Sequence, residues 1–209
     1  MPEDGQQVRR GRKFDQVIEG AREIFLRDGF EGASVDDIAR AAGVSKATLY
    51  NYFPDKRLLF MEVGRSSCEE QANAAIASID RALPPREVLT RAGQAFLSII
   101  FSQLNLQTFR VCVGEAERFP ELAEQFYCMG PMVMRCAMSQ YFREAIDRGE
   151  LAIDDLTLAA DQFGELCKAH YWPEMLFGLR KEVSEEERSR VVDEAVRTFL
   201  ARYGTENDA

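Results

Sequence analysis

Histidine and tryptophan each occur once in this 209-residue chain, as His170 and Trp172, and that scarcity narrows the available chemistry. A lone imidazole supplies neither a histidine-rich metal site nor a second partner for acid–base work. No Gly-rich phosphate loop and no nucleophile motif is present either. The five cysteines, Cys68, Cys112, Cys128, Cys136 and Cys167, have no C-x-x-C spacing, which argues against a zinc site. An odd, scattered set reads as buried reduced thiols in a cytoplasmic protein; a redox sensor is the competing reading, since reactivity depends on thiolate character. No apolar run approaches the roughly twenty residues that span a membrane, and the basic N-terminus lacks the apolar stretch of a signal peptide. Period-two alternation is missing, so no sheet is expected. What remains is an all-α, soluble, cytoplasmic protein with no expected cofactor, metal or membrane partner, and with little means for catalysis.

Acidic side chains outnumber basic ones by 35 to 26, for a formal charge of −9. The imbalance is confined to one part of the chain. Residues 1–60 carry ten of each sign, which leaves 16 basic and 25 acidic side chains in residues 61–209. An acidic body attached to a neutral head with local basic clusters would approach a polyanion in one orientation.

The stretch Ser34–Lys56, SVDDIARAAGVSKATLYNYFPDK, has the pattern of two short helices around a tight turn. Ser34 suits the cap of the first, with Asp37 three residues on reaching back as in a capping box. Ile38, Ala39 and Ala42 give that helix one apolar face, Gly43 makes the turn and Val44 fills the corner. Ser45 caps a second helix, Lys46–Phe53, ended by Pro54. Leu49 and Phe53 point inward, which leaves Lys46, Ala47, Thr48, Tyr50 and Asn51 outward. An ordinary helical hairpin would show the same amphipathicity. The outward donors favour a helix-turn-helix instead, because they suit phosphates and base edges.

The run Gly43–Lys56, with Asp28-Gly29-Phe30, Ser34 and Ile38-Ala39 before it, closely resembles the recognition region of TetR/AcrR-family transcriptional regulators. Ala47 stands where glycine is frequent, and Asn51 where histidine is frequent. The resemblance implies a DNA-binding head over residues 1–55, a connecting helix over 56–84, an effector-binding and dimerisation domain over 85–204, and a tail over 205–209. Tyr50 and Ala47 are then expected at base edges and thymine methyls, with Asn51 as a candidate base reader. Ser34, Ser45, Lys46, Thr48, Tyr52 and Lys56 are expected at or beside phosphates; Lys56, at a helix start, would add the attraction of free amides. Arg9, Arg10, Arg12 and Lys13, just before the first helix, are further candidates for phosphate contact.

About nine helices are expected. The first carries Phe14, Val17, Ile18, Ala21, Ile24 and Phe25 and stops at Gly29. The fourth runs from Asp55 toward Ile79 as the only direct covalent bridge between head and body. The fifth and sixth end near Leu104 and Pro120. A seventh, from Glu121 to Gly149, would be kinked at Gly130-Pro131. The eighth spans about Asp155–Leu179 with a bend at Pro173, and Ser184 with Glu187 would cap the ninth.

Between Phe109 and Gly149 the string EAERFPELAEQFY…GP resembles the C-terminal domain of the AefR-like branch of the same family. That resemblance implies a small effector in the body and a homodimer through the last two helices, which would read a palindromic operator. From the residues themselves, methionines at 129, 132, 134 and 138 gather beside the kink and adapt to irregular cavities. Phe96, Ile100, Leu104, Phe109, Val113, Phe126, Met129, Val133, Phe163, Leu166, Cys167 and His170 are the candidate wall of a largely apolar pocket. A solid helical core built from the same residues is the plainer reading. The expectation is a TetR-type repressor released by its effector; the alternative is a helical small-molecule carrier or an enzyme without sequence-specific DNA binding.

Overall fold

In the computed structural model, residues 11–205 are described. Arg9 and Arg10 of the basic cluster, and the tail beyond Thr205, lie outside the described residues. Eleven helices and no strand make up the described residues, apart from an isolated antiparallel bridge between Leu151 and Gly204.

The head consists of α1 (Arg12–Gly32), α2 (Val35–Ala41) and α3 (Lys46–Tyr52). The apolar stripe of α1 packs against Ile38, Ala39, Ala42, Leu49 and Phe53 in one core. The α1–α2 crossing is close: a β-carbon on Gly20 would lie 2.5 Å from the Ala42 amide nitrogen, so neither residue can be larger without moving a helix. The α1 backbone leaves helical geometry at Gly29 (φ 71°), where the sequence places its stop, and resumes for one short turn to Gly32.

The connecting helix α4 (Lys56–Ser78) closes the head core with Leu59, Phe60 and Val63. The body continues with α5 (Pro85–Ile100), α6 (Gln103–Glu115), α7 (Pro120–Met129), α8 (Pro131–Asp147), α9 (Leu156–Lys168), α10 (Trp172–Leu176) and α11 (Glu185–Tyr203). Two long helices expected from sequence are each divided. At Gly130 the backbone (φ −114°, ψ −84°) ends α7, and Pro131 opens α8, because proline suits a first helical turn and has no amide to continue the ladder. Residues 169–171 likewise separate α9 from the short α10, with Pro173 in its first turn.

Faces of α5, α8, α9 and α11 form the body core around Leu97, Phe142, Phe163 and Phe199. Phe199 stacks on Phe142 at 5.1 Å and meets Phe163 edge-on at 5.5 Å. The capping box at the start of α11 forms in both directions: Ser184 accepts from the Glu187 amide at 3.2 Å, and the Ser184 amide donates to the Glu187 carboxylate at 2.9 Å.

α6 ties body to head, a link that sequence did not show. It bends 67° away from α5 and places Leu104 in the head core. Its Thr108 packs so closely on Gly64 of α4 that any side chain there would overlap it. At its end Glu115 accepts from Arg57 at 3.0 Å. α4 is the direct covalent connection, and α6 is a second, non-covalent one.

Candidate nucleic-acid interface

Both short helices of the head are capped by the serines expected from sequence. Ser34 Oγ accepts from the Asp37 amide and Ser45 Oγ from the Thr48 amide, each at 3.1 Å. Asp37 does not complete a capping box. Its carboxylate instead accepts from the Ser34 hydroxyl at 2.7 Å and from Arg40 at 2.6 Å, and the Ser34 bond leads in holding its pKa below the usual aspartate value. Between the helices Gly43 adopts φ 63°, a left-handed conformation that glycine takes without a β-carbon clash. The Val44 amide then donates to the Ala39 carbonyl at 3.0 Å, which fixes the angle between α2 and α3.

This geometry buries Leu49 and turns the rest of α3 out. Ser45, Lys46, Ala47, Tyr50 and Asn51 are exposed, Tyr50 at 47%. Thr48, Ser34 and Tyr52 are half-buried; Tyr52 packs its ring edge-on against Phe14 at 5.9 Å, so only part of it faces outward. Lys56 differs from expectation. Its ammonium donates to the carbonyls of Phe30 at 2.8 Å and Ala33 at 3.2 Å and lies 4.6 Å from the Phe30 ring centroid. It ties α4 to the end of α1, because orphan carbonyls after a helix attract a cation more locally than solvent does. Asp55 caps α4 through the Arg57 amide at 2.8 Å and pairs with the Arg57 guanidinium at 2.6 Å. That guanidinium is the first cause of the lowered Asp55 pKa.

The candidate effector residues do not share one cavity. Phe96, Ile100, Phe163, Leu166 and Cys167 belong to the body core, and burial pushes the Cys167 thiol up to about 12. Leu104 sits in the head core, which removes it from the expected wall. Val113 is 61% exposed and His170 is also exposed, its ring edge-on to Tyr171 at 4.5 Å, so neither lines an enclosed space. Phe109 joins Phe126 and Trp172 in an aromatic group with centroids 5.8 and 5.1 Å apart. Val133 is half-buried on α8. A cavity of about 10 Å³ lies between α4 and α7 against Met61, Gly64, Cys68, Phe126, Met129 and Gly130. Only Phe126 and Met129 of the expected wall reach it. That volume is water-sized, because the side chains beside the Gly130 break close over it. Glu115, at the end of α6, is held by Arg57.

An open groove of about 570 Å³ runs between α9 and α11 on the outer surface, lined by Leu158, Gln162, Leu166, Ala169, Thr198 and Tyr203 among others. Leu158 is 51% exposed there. The groove lies on the last long helices, through which the resemblance implies a homodimer, and its α9 side mixes polar Gln162 and Glu165 with apolar residues.

A capped, outward-facing helix on a three-helix head, joined through one long helix to an all-α body, defines a helix-turn-helix regulator of transcription that binds DNA. Residues 17–63 match the family model of bacterial regulatory proteins of the tetR family, and residues 87–205 match the C-terminal domain of the AefR-like transcriptional repressors. The chain belongs to the TetR family, with a C-terminal domain of the AefR-like kind. It is similar to the transcriptional activator FasR of Mycolicibacterium smegmatis, 29% identical over 46% of this chain and 44% of that protein. The chain thus spans less than half the length of that relative. Among solved structures, a TetR-family regulator of Mesorhizobium loti is 27% identical with a TM-score of 0.78 and covers 95% of this chain and 100% of that one. The flavonoid-responsive regulator FrrA is 32% identical with a TM-score of 0.67, covering 94% and 100%.

Proposed function

We propose that the protein is a homodimeric repressor that reads a palindromic operator and is released by a small, largely apolar effector. The single observation that carries the DNA half is the exposure of Lys46, Ala47, Tyr50 and Asn51 on one capped helix above a buried Leu49. Tyr50, Ala47 and Asn51 face base edges, while Ser45, Lys46 and Thr48 hold phosphates, with Ser34 and Tyr52 at the margin. One seven-residue helix reads few base pairs, so a two-fold pair of heads about 34–36 Å apart, or at a longer matched spacing, supplies the rest. The α9–α11 groove is the surface on which the second copy packs as an intersubunit four-helix bundle.

A drug-sized effector needs a few hundred Å³ or more, far above the roughly 10 Å³ of the cavity between α4 and α7. It therefore enters by parting α4 from α7 and α8 at the Gly130 break, where Met129, Met132, Val133 and Met134 are half-buried and adaptable. Displacing α4 moves the head through Leu59, Phe60 and the Arg57–Glu115 pair, and changes the spacing between the two heads. A coupling of about 1–3 kcal/mol suffices to reduce operator occupancy severalfold or more. That FrrA responds to flavonoids favours an aromatic, poorly charged effector; that FasR is an activator favours testing the sign of regulation directly.

Selection of bound duplexes from random DNA by the full chain tests this reading. The expected product is a palindrome whose half-site spacing matches successive major grooves. Tyr50→Ala should weaken the selected duplex by roughly tenfold or more relative to random DNA, whereas Lys46→Ala should weaken both alike. Recovery of no preferred sequence overturns it.

A further inference from the structure

Six basic side chains in or beside the head, Arg22, Arg27, Arg40, Lys46, Lys56 and Arg57, are already engaged before any duplex arrives. Arg22 pairs with Glu70 at 3.0 Å, Arg27 with Asp28 at 2.6 Å, and Arg40 with Asp37 at 2.6 Å. Arg57 is held by Asp55 and Glu115, and Lys56 by two carbonyls. One of these pairs stands on the reading surface itself. Lys46, the first residue of α3, places its ammonium 2.5 Å from the carboxylate of Asp36, near the start of α2. Both side chains are more than half exposed, at 54% and 60%.

We infer that Asp36 is an affinity-setting residue of the DNA interface, a carboxylate that competes with the phosphate backbone for Lys46. The inference rests on the reading of α3 as the DNA-contacting helix. An ammonium is a compact charge that a carboxylate and a phosphate oxygen satisfy in the same way, so one displaces the other. Because the pair is exposed, Lys46 turns from Asp36 to a phosphate with no change in the head core. The exchange leaves Asp36 beside the duplex without its counter-charge, so the carboxylate opposes docking both by holding Lys46 and by facing phosphates afterwards. The start of α2 is a favourable place for that charge, since free amides at a helix N-terminus stabilise a carboxylate. Phosphates are the same in every sequence, so Asp36 lowers affinity for operator and random DNA together and leaves base preference alone. The neutral charge balance of residues 1–60 then has a use: it holds non-specific binding down, which depends wholly on phosphate neutralisation.

The test is a double-substitution cycle in the full chain, using the duplex recovered by selection and a random-sequence duplex. At about 0.1 M salt Asp36→Asn should tighten both by roughly three- to tenfold, and the slope of log affinity against log salt should steepen by up to about one. Asp36→Glu should restore wild-type behaviour, and an unchanged melting temperature separates the effect from any loss of α2. In a Lys46→Ala background the gain from Asp36→Asn should shrink to the smaller part that comes from Asp36 facing phosphates. A gain of equal size without Lys46 overturns the inference, because Asp36 would then act by its own charge alone. No gain from Asp36→Asn while Lys46→Ala still weakens binding also overturns it and leaves the DNA reading intact. If Lys46→Ala and Tyr50→Ala both leave DNA binding unchanged, the reading of α3 fails and the inference falls with it.

Discussion

Single side chains decide how the reading helix is presented, and several can be tested alone. Gly20 and Ala42 touch backbone to backbone where α1 crosses α2, so Gly20→Ala forces those helices apart. A cost of about 1–3 kcal/mol, the usual range for overpacking, should appear as a lower denaturation midpoint; an unchanged midpoint would mean that the crossing relaxes freely. The thiols also divide by environment. Cys112 and Cys167 are buried and Cys128 and Cys136 exposed, and desolvation raises the pKa of Cys68, Cys112 and Cys167. A thiol-reactive chromophore at neutral pH should therefore modify Cys128 and Cys136 quickly, and Cys112 and Cys167 only on unfolding. Rapid loss of Cys167 would mean that the body core opens in the native state. The expectation of buried thiols holds for Cys112 and Cys167 and fails at Cys128 and Cys136, which are exposed, because which face of a helix is covered depends on packing between distant elements.

At the scale of elements, the joint between α3 and α4 combines a cap with an ion pair. Asp55 both accepts from the Arg57 amide and pairs with its guanidinium, which lowers its pKa in the folded chain. A depressed carboxylate contributes stability that is complete above its usual value of 3.8 and is lost as pH falls through the lower folded value. Asp55→Asn keeps a side-chain acceptor for the cap but removes the titrating charge. Compared with wild type, the variant should lose less stability between about pH 5 and pH 2, read from denaturant midpoints. Identical pH profiles would show that the pair contributes nothing through its charge. The same joint shows how expectation and structure part. Proline after Phe53 and aspartate at position 55 announced the end of one helix and the start of the next, while the roles of Lys56 and Arg57 depended on carbonyls and a carboxylate 23 to 58 residues away.

For the whole molecule, the outer α9–α11 groove sets the oligomeric state in the proposed dimer. Leu158→Glu replaces an exposed apolar side chain of the groove with a further negative charge beside Asp161 and Glu165 and should shift the protein from dimer to monomer in sedimentation at micromolar concentration. Operator binding should weaken with it while helical content stays the same. A dimer that survives the substitution would place the two-fold contact elsewhere. Two connections between body and head, α4 by covalent continuity and α6 by packing, mean that a disturbance at the Gly130 break reaches α3 by more than one route.

Local chemistry was enough to determine the all-α class, the capped helix pair with its glycine turn, and the outward set of Lys46, Ala47, Tyr50 and Asn51. Each depends on contacts within a few residues, where helical periodicity and cap preference act directly. Tertiary structure alone decided that two long helices break into four, that Leu104 belongs to the head, that Met129 meets a water-sized space while Met134 and Met138 join the body core, and that Asp36 meets Lys46. Those outcomes depend on which faces of distant helices meet. An apolar side chain is satisfied by any close-packed partner, and a charge by any counter-charge in reach, so the sequence shows that each will find a partner while only the fold determines which one.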